Sequence, residues 1–223
     1  GGIVSLKGVS ISAEVIDVAS TVTIKQRFHN DEKRAIEATY CFPLEEGSAV
    51  NRFEVRIGDR LIQGKVEERE KAFEEYDEAM VQGHGAYLLD QEKPNIFVAS
   101  VGNLNPGQEA IVSITYVVEV PIVDDQMRLM IPTTVSPRYA PSNYDPIKTD
   151  VLSPPTPLEV PYGLSIDVSV IDGNRIDRVS SPSHKIKIQK SDNKWSVNLA
   201  DSETKLDRDF ILEMMLKEPK KPF

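Results

Sequence analysis

The sequence contains few of the residue types that carry most site chemistry. Its 223 residues include one cysteine, three histidines and one tryptophan, and aromatic residues make up 7%. Because Cys41 is the only cysteine, a disulfide within the chain is excluded. No apolar run approaches the roughly 20 residues of a membrane-spanning helix. No charged segment followed by an apolar one marks a secretory signal at the N-terminus.

The charge balance argues against two classes of partner. The formal net charge is -9 and the pI about 5.0. Without a basic stripe, such a chain is a poor ligand for nucleic acids or for anionic membranes. The compartment stays open: a single cysteine and no visible signal fit a cytoplasmic protein. However, the chain starts at Gly1 without a methionine, so we expect an excised fragment of a parent that could equally be secreted or exported.

Apolar and polar residues alternate with a period of two along most of the chain, which predicts strands with one buried face. The polar run His29–Glu32 separates two such segments as a turn. Gly58-Asp59 predicts a tight hairpin, and Asn105-Pro106-Gly107 a second turn. The predicted strands include Val9–Val15, Val22–Phe28, Ile36–Phe42, Phe53–Ile57, Arg60–Ile62, Asn95–Ser100, Ala110–Val120 and Arg128–Ile131.

One segment has a different period. Glu67–Gln82 contains no proline or glycine and is rich in Glu, Lys and Ala, which favours a helix. Phe73, Tyr76 and Met80 fall on one helical stripe, and Gly83 stands where a helix C-terminal glycine is common. We therefore predict one amphipathic helix at about 67–82.

Prolines are dense from Pro132 to Pro161, which predicts a linker or crossing segment because proline cannot donate to a strand ladder. Further strands are predicted beyond it, at Leu164–Ile171, His184–Gln189, Trp195–Leu199 and Phe210–Leu216. The fold prediction is mostly β: an antiparallel β-sandwich with one amphipathic helix, followed by a second β-rich segment. The predicted divisions are 1–140, a Pro-rich linker at 141–162, and 163–223.

The chain shows no pattern typical of a catalytic or metal site. Phosphate loops, dinucleotide-binding glycines, HExxH and EF-hand loops are absent, and no spacing groups the histidines for zinc. Cys41 as a nucleophile with His84 as its base is one hypothesis. Burial of Cys41 as a small apolar residue on a strand is the favoured alternative. We therefore expect no enzymatic activity, no metal and no cofactor.

The most distinctive local stretch is Gly83–Leu89, where two glycines flank His84 directly after the predicted helix. A sharp backbone bend there would leave the imidazole accessible as a contact point. The structural alternative, a helix stop followed by a strand, is the favoured interpretation.

Several motifs in order resemble the VIT domain, the vault and inter-alpha-trypsin domain, over roughly Val4 to Tyr139. These motifs are Tyr40–Leu44 with Ala49-Val50, Ile57-Gly58, Ile62–Gly64, Tyr76 with Ala79, Gln82–Ala86, Ser100–Leu104, Pro106-Gly107 and Pro132–Tyr139. The resemblance implies that 1–140 is a VIT domain. It also implies that 163–223 leads towards a von Willebrand A domain that this chain lacks, as in inter-alpha-trypsin inhibitor heavy chains and the vault poly(ADP-ribose) polymerase.

That resemblance implies no catalytic residues and favours a scaffold module that docks a neighbouring von Willebrand A domain or another protein. The candidate interaction residues are Gly83, His84, Gly85, Tyr87, Pro137, Arg138 and Tyr139. A carbohydrate- or matrix-binding module is the alternative, with Trp195, Tyr139 and Tyr144 as its candidate stacking residues. The Cys41–His84 enzyme is a second alternative.

Overall fold

The structure is a computed structural model that describes residues 4–44, 47–63, 67–68, 95–133, 163–171, 175–201 and 208–217. These residues form fifteen strands. Their bounds are β1 (Val4–Ile16), β2 (Ala19–Asn30), β3 (Ile36–Leu44), β4 (Ala49–Ile57), β5 (Arg60–Gln63), β6 (Glu67–Glu68), β7 (Asn95–Leu104), β8 (Glu109–Glu119), β9 (Ile122–Val123), β10 (Gln126–Ile131), β11 (Leu164–Ile171), β12 (Ile176–Ser180), β13 (Ile186–Ser191), β14 (Lys194–Leu199) and β15 (Phe210–Leu216).

The strands are arranged in three sheets. The largest has the order β13-β14-β11-β1-β2-β8-β4-β5. A four-stranded sheet has the order β12-β15-β10-β9, and a three-stranded sheet the order β3-β7-β6. The predicted mostly β fold is confirmed.

Alternating burial explains how the sheets make one core. Along β2 and β8 every second residue is buried, so one face of the large sheet is apolar and the other faces solvent. The buried side chains of the large sheet, such as Ile11 and Val168, belong to the same hydrophobic cluster as Leu129 and Leu212 of the four-stranded sheet. The two sheets therefore share a core as the layers of a sandwich do.

The turns predicted at Gly58-Asp59 and Asn105-Pro106-Gly107 are confirmed, whereas His29 and Asn30 of the turn predicted at His29–Glu32 are the last residues of β2. Gly58 has a φ of 57° between β4 and β5, as the first central residue of a two-residue hairpin often requires. Gly107, with a φ of 73°, lies in the turn between β7 and β8. This second turn passes from the three-stranded sheet to the large sheet, because β8 pairs with β2 and β4.

One pair of neighbouring strands differs from the antiparallel arrangement that was predicted. β1 and β11 pair in parallel, with Val9 opposite Leu164 and Ile16 opposite Ile171. Parallel neighbours need a long crossover, and more than a hundred residues separate these strands in sequence. Alternation alone predicts which face is buried but not the direction of the neighbouring strand.

The predicted helix at about 67–82 is not confirmed. Its first two residues, Glu67 and Glu68, form β6 and pair with Val98 and Phe97 of β7. Ladder hydrogen bonds to β7 here outweigh the helix propensity of glutamate, which amounts to only a few tenths of a kcal/mol per residue. Residues 69–82 lie outside the described residues.

The predicted division at 141–162 lies in a segment outside the described residues and stays a prediction. Hydrogen bonding nevertheless joins strands from both sides of it. β11 pairs with β1, and β15 pairs with β10 over six residue pairs. Strands from the predicted second segment therefore complete sheets that the first segment begins.

Candidate functional site

The candidate interaction residues from the sequence, Gly83, His84, Gly85, Tyr87, Pro137, Arg138 and Tyr139, all lie outside the described residues, so their role stays a prediction. Cys41 lies on β3, and its backbone pairs with Val98 of β7. Since His84 is not among the described residues, the proposed Cys41–His84 pair is also untested.

The other two histidines occupy different parts of the fold. His29 is near the end of β2, and its Nδ1 lies 2.6 Å from an oxygen of the exposed Asp31 carboxylate. His184 lies before β13 and packs against Phe210, with the ring centroids 5.6 Å apart. Within the described residues, no group of three or more His, Cys, Asp or Glu side chains is placed to hold a metal ion.

A serine-rich turn surrounds His184. Its Nδ1 lies 2.8 Å from Ser183 Oγ, and the same oxygen accepts a hydrogen bond of 2.8 Å from the backbone N–H of Ile211. Ser181 Oγ accepts from the His184 backbone N–H at 3.2 Å. Ser183 Oγ therefore fastens the β12–β13 connection to β15, while Ser181 Oγ stabilises the connection itself.

Trp195 does not offer a stacking face for a sugar. It is 8% exposed, and Lys190 Nζ lies 4.2 Å from its ring centroid. A carbohydrate platform needs an exposed aromatic ring, so this alternative now depends on Tyr139 and Tyr144, which lie outside the described residues.

An open groove of about 700 Å³ runs across β1, β2, β11 and β14. Its charged lining has both signs: Lys25, Arg27 and Lys187 against Asp167 and Asp201. Asp167 accepts a hydrogen bond from the Asn198 side chain. Among the described residues, the lining of the groove contains neither a histidine nor a cysteine.

The most distinctive surface is one end of the molecule, which we name the hairpin end and define as Ile16–Val18, Pro121–Asp125, Arg175 and Leu216–Lys217. Two tight turns build it. Asp17 (φ 55°) lies in the turn between β1 and β2, and Asp124 (φ 51°) and Asp125 (φ 60°) form the turn between β9 and β10. Two consecutive residues with positive φ are typical of a type I′ hairpin.

Backbone hydrogen bonds connect the parts of the hairpin end. Val120 N–H donates to Val18 O at 2.7 Å, which joins the β1–β2 turn to the segment entering β9. Leu216 N–H donates to Asp125 O, and Lys217 N–H donates to Arg175 O, both at 2.8 Å. The chain therefore leaves its last described strand next to the β9–β10 turn.

Side chains of the hairpin end combine exposed apolar groups with acids. Ile16, Ile122 and Val123 are 46%, 48% and 65% exposed, and they are three of the five large apolar residues exposed among the described residues. The other two lie on the two edge strands of the large sheet, β5 and β13. The hairpin end thus carries exposed apolar side chains in or next to the turns that contain Asp17, Asp124 and Asp125.

Sequence reasoning did not identify this surface. The available signal is the sequence Ile122-Val123-Asp124-Asp125, in which an apolar pair directly precedes a two-aspartate turn. Such a short strand gives no alternation to analyse, and its exposure depends on its edge position in the four-stranded sheet.

Residues 6–116 match the family model of the Vault protein inter-alpha-trypsin domain, or VIT. The chain therefore belongs to the VIT family, as its motifs indicated. The matched region covers most of β1 through most of β8 and includes five strands of the large sheet.

Relatives extend the similarity beyond the matched family region. Mouse von Willebrand factor A domain-containing protein 5A is 34% identical over 226 aligned residues, which cover 98% of this chain and 28% of that protein. Mouse protein mono-ADP-ribosyltransferase PARP4 is 33% identical over 217 residues, covering 96% of this chain and 11% of that protein. The chain thus spans less than a third of these relatives' length, while its later strands share in the similarity.

The fold also has a distant structural counterpart. A crystal structure of a nutrient-binding candidate from Legionella pneumophila superposes with a TM-score of 0.55 over 95% of this chain and 67% of that one. At 8% identity the likeness concerns the fold alone. Within the described part of the chain, no helix has the length and apolar character needed to cross a membrane.

Proposed function

We propose that this chain is a non-catalytic interaction module whose hairpin end docks a von Willebrand A domain of a longer parent protein. The observation that carries the proposal is that Ile16, Ile122 and Val123 are exposed beside two turns. One of these turns is hydrogen-bonded to Leu216, the last residue of β15. A domain connected after β15 would start beside this surface.

The chemistry of the hairpin end fits a partner domain better than a small substrate. Exposed apolar side chains bordered by polar ones are typical of protein interfaces. Two-residue turns with positive φ and the hydrogen bonds from Leu216 and Lys217 hold the surface in one shape. A fixed shape lowers the entropic cost of docking.

The name of one relative supports the choice of a von Willebrand A domain as the partner. The mouse relative is named as a von Willebrand factor A domain-containing protein, and it is 34% identical to this chain over 98% of the chain. Because VIT and von Willebrand A domains occur together in such proteins, a neighbouring domain of this class is the partner that we infer.

The experiment is a titration of this chain with the separately produced von Willebrand A domain of mouse protein 5A, followed by isothermal calorimetry and NMR. We expect shifted amide resonances at residues 16–18 and 122–125. The double variant Ile122→Ser, Val123→Ser should weaken binding about tenfold or more.

Leu61→Ser is the matched control, since Leu61 has the same 48% exposure as Ile122 but lies on β5. A second variant, His84→Ala with Tyr87→Ala, tests whether the Gly-His-Gly region makes the contact instead. If the serine variant at the hairpin end binds as well as the unchanged chain, the proposed surface is incorrect. If no variant and no unchanged chain binds, the proposed partner is incorrect.

A further inference from the structure

β13 is the terminal strand of the large sheet and has one neighbour among the described residues. It pairs with β14 in an antiparallel hairpin, from Ile186 opposite Leu199 to Ser191 opposite Lys194. The six residues of β13 therefore present a second edge without a described partner strand. An edge of this kind is a template on which another strand can pair.

The ladder alternation tells which backbone groups point away from β14. Ala200 N–H donates to Lys185 O at 2.9 Å, so Lys185 and Ala200 form a hydrogen-bonded pair. In an antiparallel ladder such pairs alternate with non-bonded ones, and the register then makes Lys187 and Gln189 bonded to β14 as well. The N–H and C=O groups of Ile186, Ile188 and Lys190 consequently point outwards along the free edge.

The core face of this edge is incompletely covered. Ile188 lies opposite the buried Val197, so its side chain is on the core face, yet it is 39% exposed. Ile186 lies on the same face and is only partly buried against the core. A further strand beside β13 would complete the burial of both isoleucines, and each buried CH₂ contributes about 0.8 kcal/mol.

The positive charge around this edge favours an acidic partner. Lys185, Lys187, Lys190 and Lys194 are exposed in this hairpin, with Asp192 as the one acid between residues 185 and 194. This local excess of positive charge belongs to a chain of net charge -9. Lysines on an edge disfavour pairing with a second copy of the same strand, because like charges would face each other.

We propose that the free edge of β13 binds an extended segment of a partner protein as an added strand. The segment alternates apolar and acidic residues. Its apolar side chains cover Ile186 and Ile188, and its carboxylates face Lys187 on the opposite side of the sheet. Its backbone pairs with the outward groups of Ile186, Ile188 and Lys190, in the manner of β-strand addition.

The test uses the full chain and a blocked seven-residue peptide that alternates valine and glutamate. The control peptide alternates valine and lysine. Binding is measured by NMR titration at low and high salt, and amide hydrogen exchange is recorded with and without peptide. We expect the acidic peptide to bind more tightly than the basic one and to slow exchange at Ile188 and Lys190. Lys187 and Gln189 should change little, because their N–H groups already bond to β14.

Two variants separate backbone pairing from charge. Ile188→Pro removes an outward N–H but no bond to β14, and proline is tolerated on edge strands. For this variant we expect no measurable peptide binding. Lys185→Glu with Lys187→Glu, two exposed lysines on the face opposite Ile188, should weaken binding about tenfold or more at low salt. Lys33→Glu with Arg34→Glu makes the same change of charge in the exposed β2–β3 connection and should have little effect.

Each alternative occupant gives a distinct result. Equal binding by the Ile188→Pro variant, or equal binding of both peptides, would overturn the proposal. Slow exchange at Ile188 in the free chain would mean that the edge is already occupied. Sedimentation would then distinguish a second copy of the chain, which gives a dimer, from another segment of the same monomer. Failure of both peptides to bind would also overturn the proposal.

Discussion

The side-chain amide of Asn30 donates a hydrogen bond to the backbone oxygen of Leu104 at 2.9 Å, and neither residue is accessible to solvent. The same Nδ2 donates to Arg34 O at 2.9 Å, and Oδ1 accepts from Glu32 N–H at 2.9 Å. The backbone of Asn30 bonds to Gln108 O and to Gly107 N–H. One residue thus joins the end of β2, the β2–β3 connection and the turn that leads into β8.

Replacing Asn30 by alanine should lower the free energy of unfolding by about 2–4 kcal/mol, because the buried carbonyl of Leu104 loses its donor and a cavity remains. Urea unfolding followed by circular dichroism measures the change. Asn103→Ala is the control: Asn103 is an exposed neighbour of Leu104, and its change should stay within about 0.5 kcal/mol. Equal losses in the two variants would show that Asn30 does not fasten these segments.

Gly58 tests whether a turn residue is needed for its backbone or for space. Its φ is 57°, and a Cβ there would meet nothing within 4 Å. Any loss on substitution therefore reports backbone strain. We expect Gly58→Val to cost about 1–2 kcal/mol, since β-branched residues rarely adopt positive φ. Gly58→Asn should cost less, because asparagine tolerates that region. Thermal unfolding of both variants gives the comparison, and equal costs would contradict the argument.

The ion pair between Asp17 and Arg175 should contribute little to stability. The Arg175 guanidinium donates to Asp17 Oδ1 at 2.8 Å, but the side chain of Arg175 is 51% exposed and that of Asp17 is 75% exposed. Water screens such pairs, and their coupling is commonly about 0.2–1 kcal/mol. A double-mutant cycle with Asp17→Ala and Arg175→Ala should give a coupling in that range that disappears in 1 M NaCl, where the Debye length is about 3 Å. A larger, salt-independent coupling would mean that this contact organises the hairpin end.

The buried face of the large sheet is visible in the sequence because strand geometry imposes a period of two. Val9, Ile11, Ala13 and Val15 alternate with polar residues, and all four are buried. Turn chemistry is equally local, which explains why Gly58 and Gly107 were identified. These features require only neighbouring residues to decide the conformation.

Features that depend on distant partners were not predictable in this way. Asn30 belongs to a polar run typical of an exposed turn, yet contacts with Leu104 and Gln108 bury it. Glu67 has a helix-compatible sequence around it, yet Val98 of β7 holds it in a strand. The parallel pairing of β1 with β11 similarly joins segments far apart in sequence.

The candidate interaction surfaces illustrate the same limit. Ile122 and Ile188 are apolar residues of ordinary appearance in the sequence. Their exposure follows from edge positions in two different sheets, β9 in one and β13 in the other. The motifs of the VIT family identify the fold without assigning these edges, because edge exposure depends on how all the strands are ordered.

The pairing of β1 with β11 makes a final prediction about the unit that folds. A chain that ends at residue 140 keeps β1 and β10 but loses β11 and β15, which pair with them over eight and six residue pairs. The buried Leu129 and Ile131 would then lose Leu212 and Phe210 as ladder partners. We expect residues 1–140 alone to self-associate or to unfold at a lower urea concentration than the full chain, because exposed edges and apolar faces promote pairing between molecules. Adding residues 141–223 as a separate chain should restore monomeric, more stable protein, as judged by sedimentation and urea unfolding. A fragment 1–140 that is monomeric and as stable as the full chain would instead show that residues 1–140 fold independently, as the predicted domain boundary near residue 140 implies.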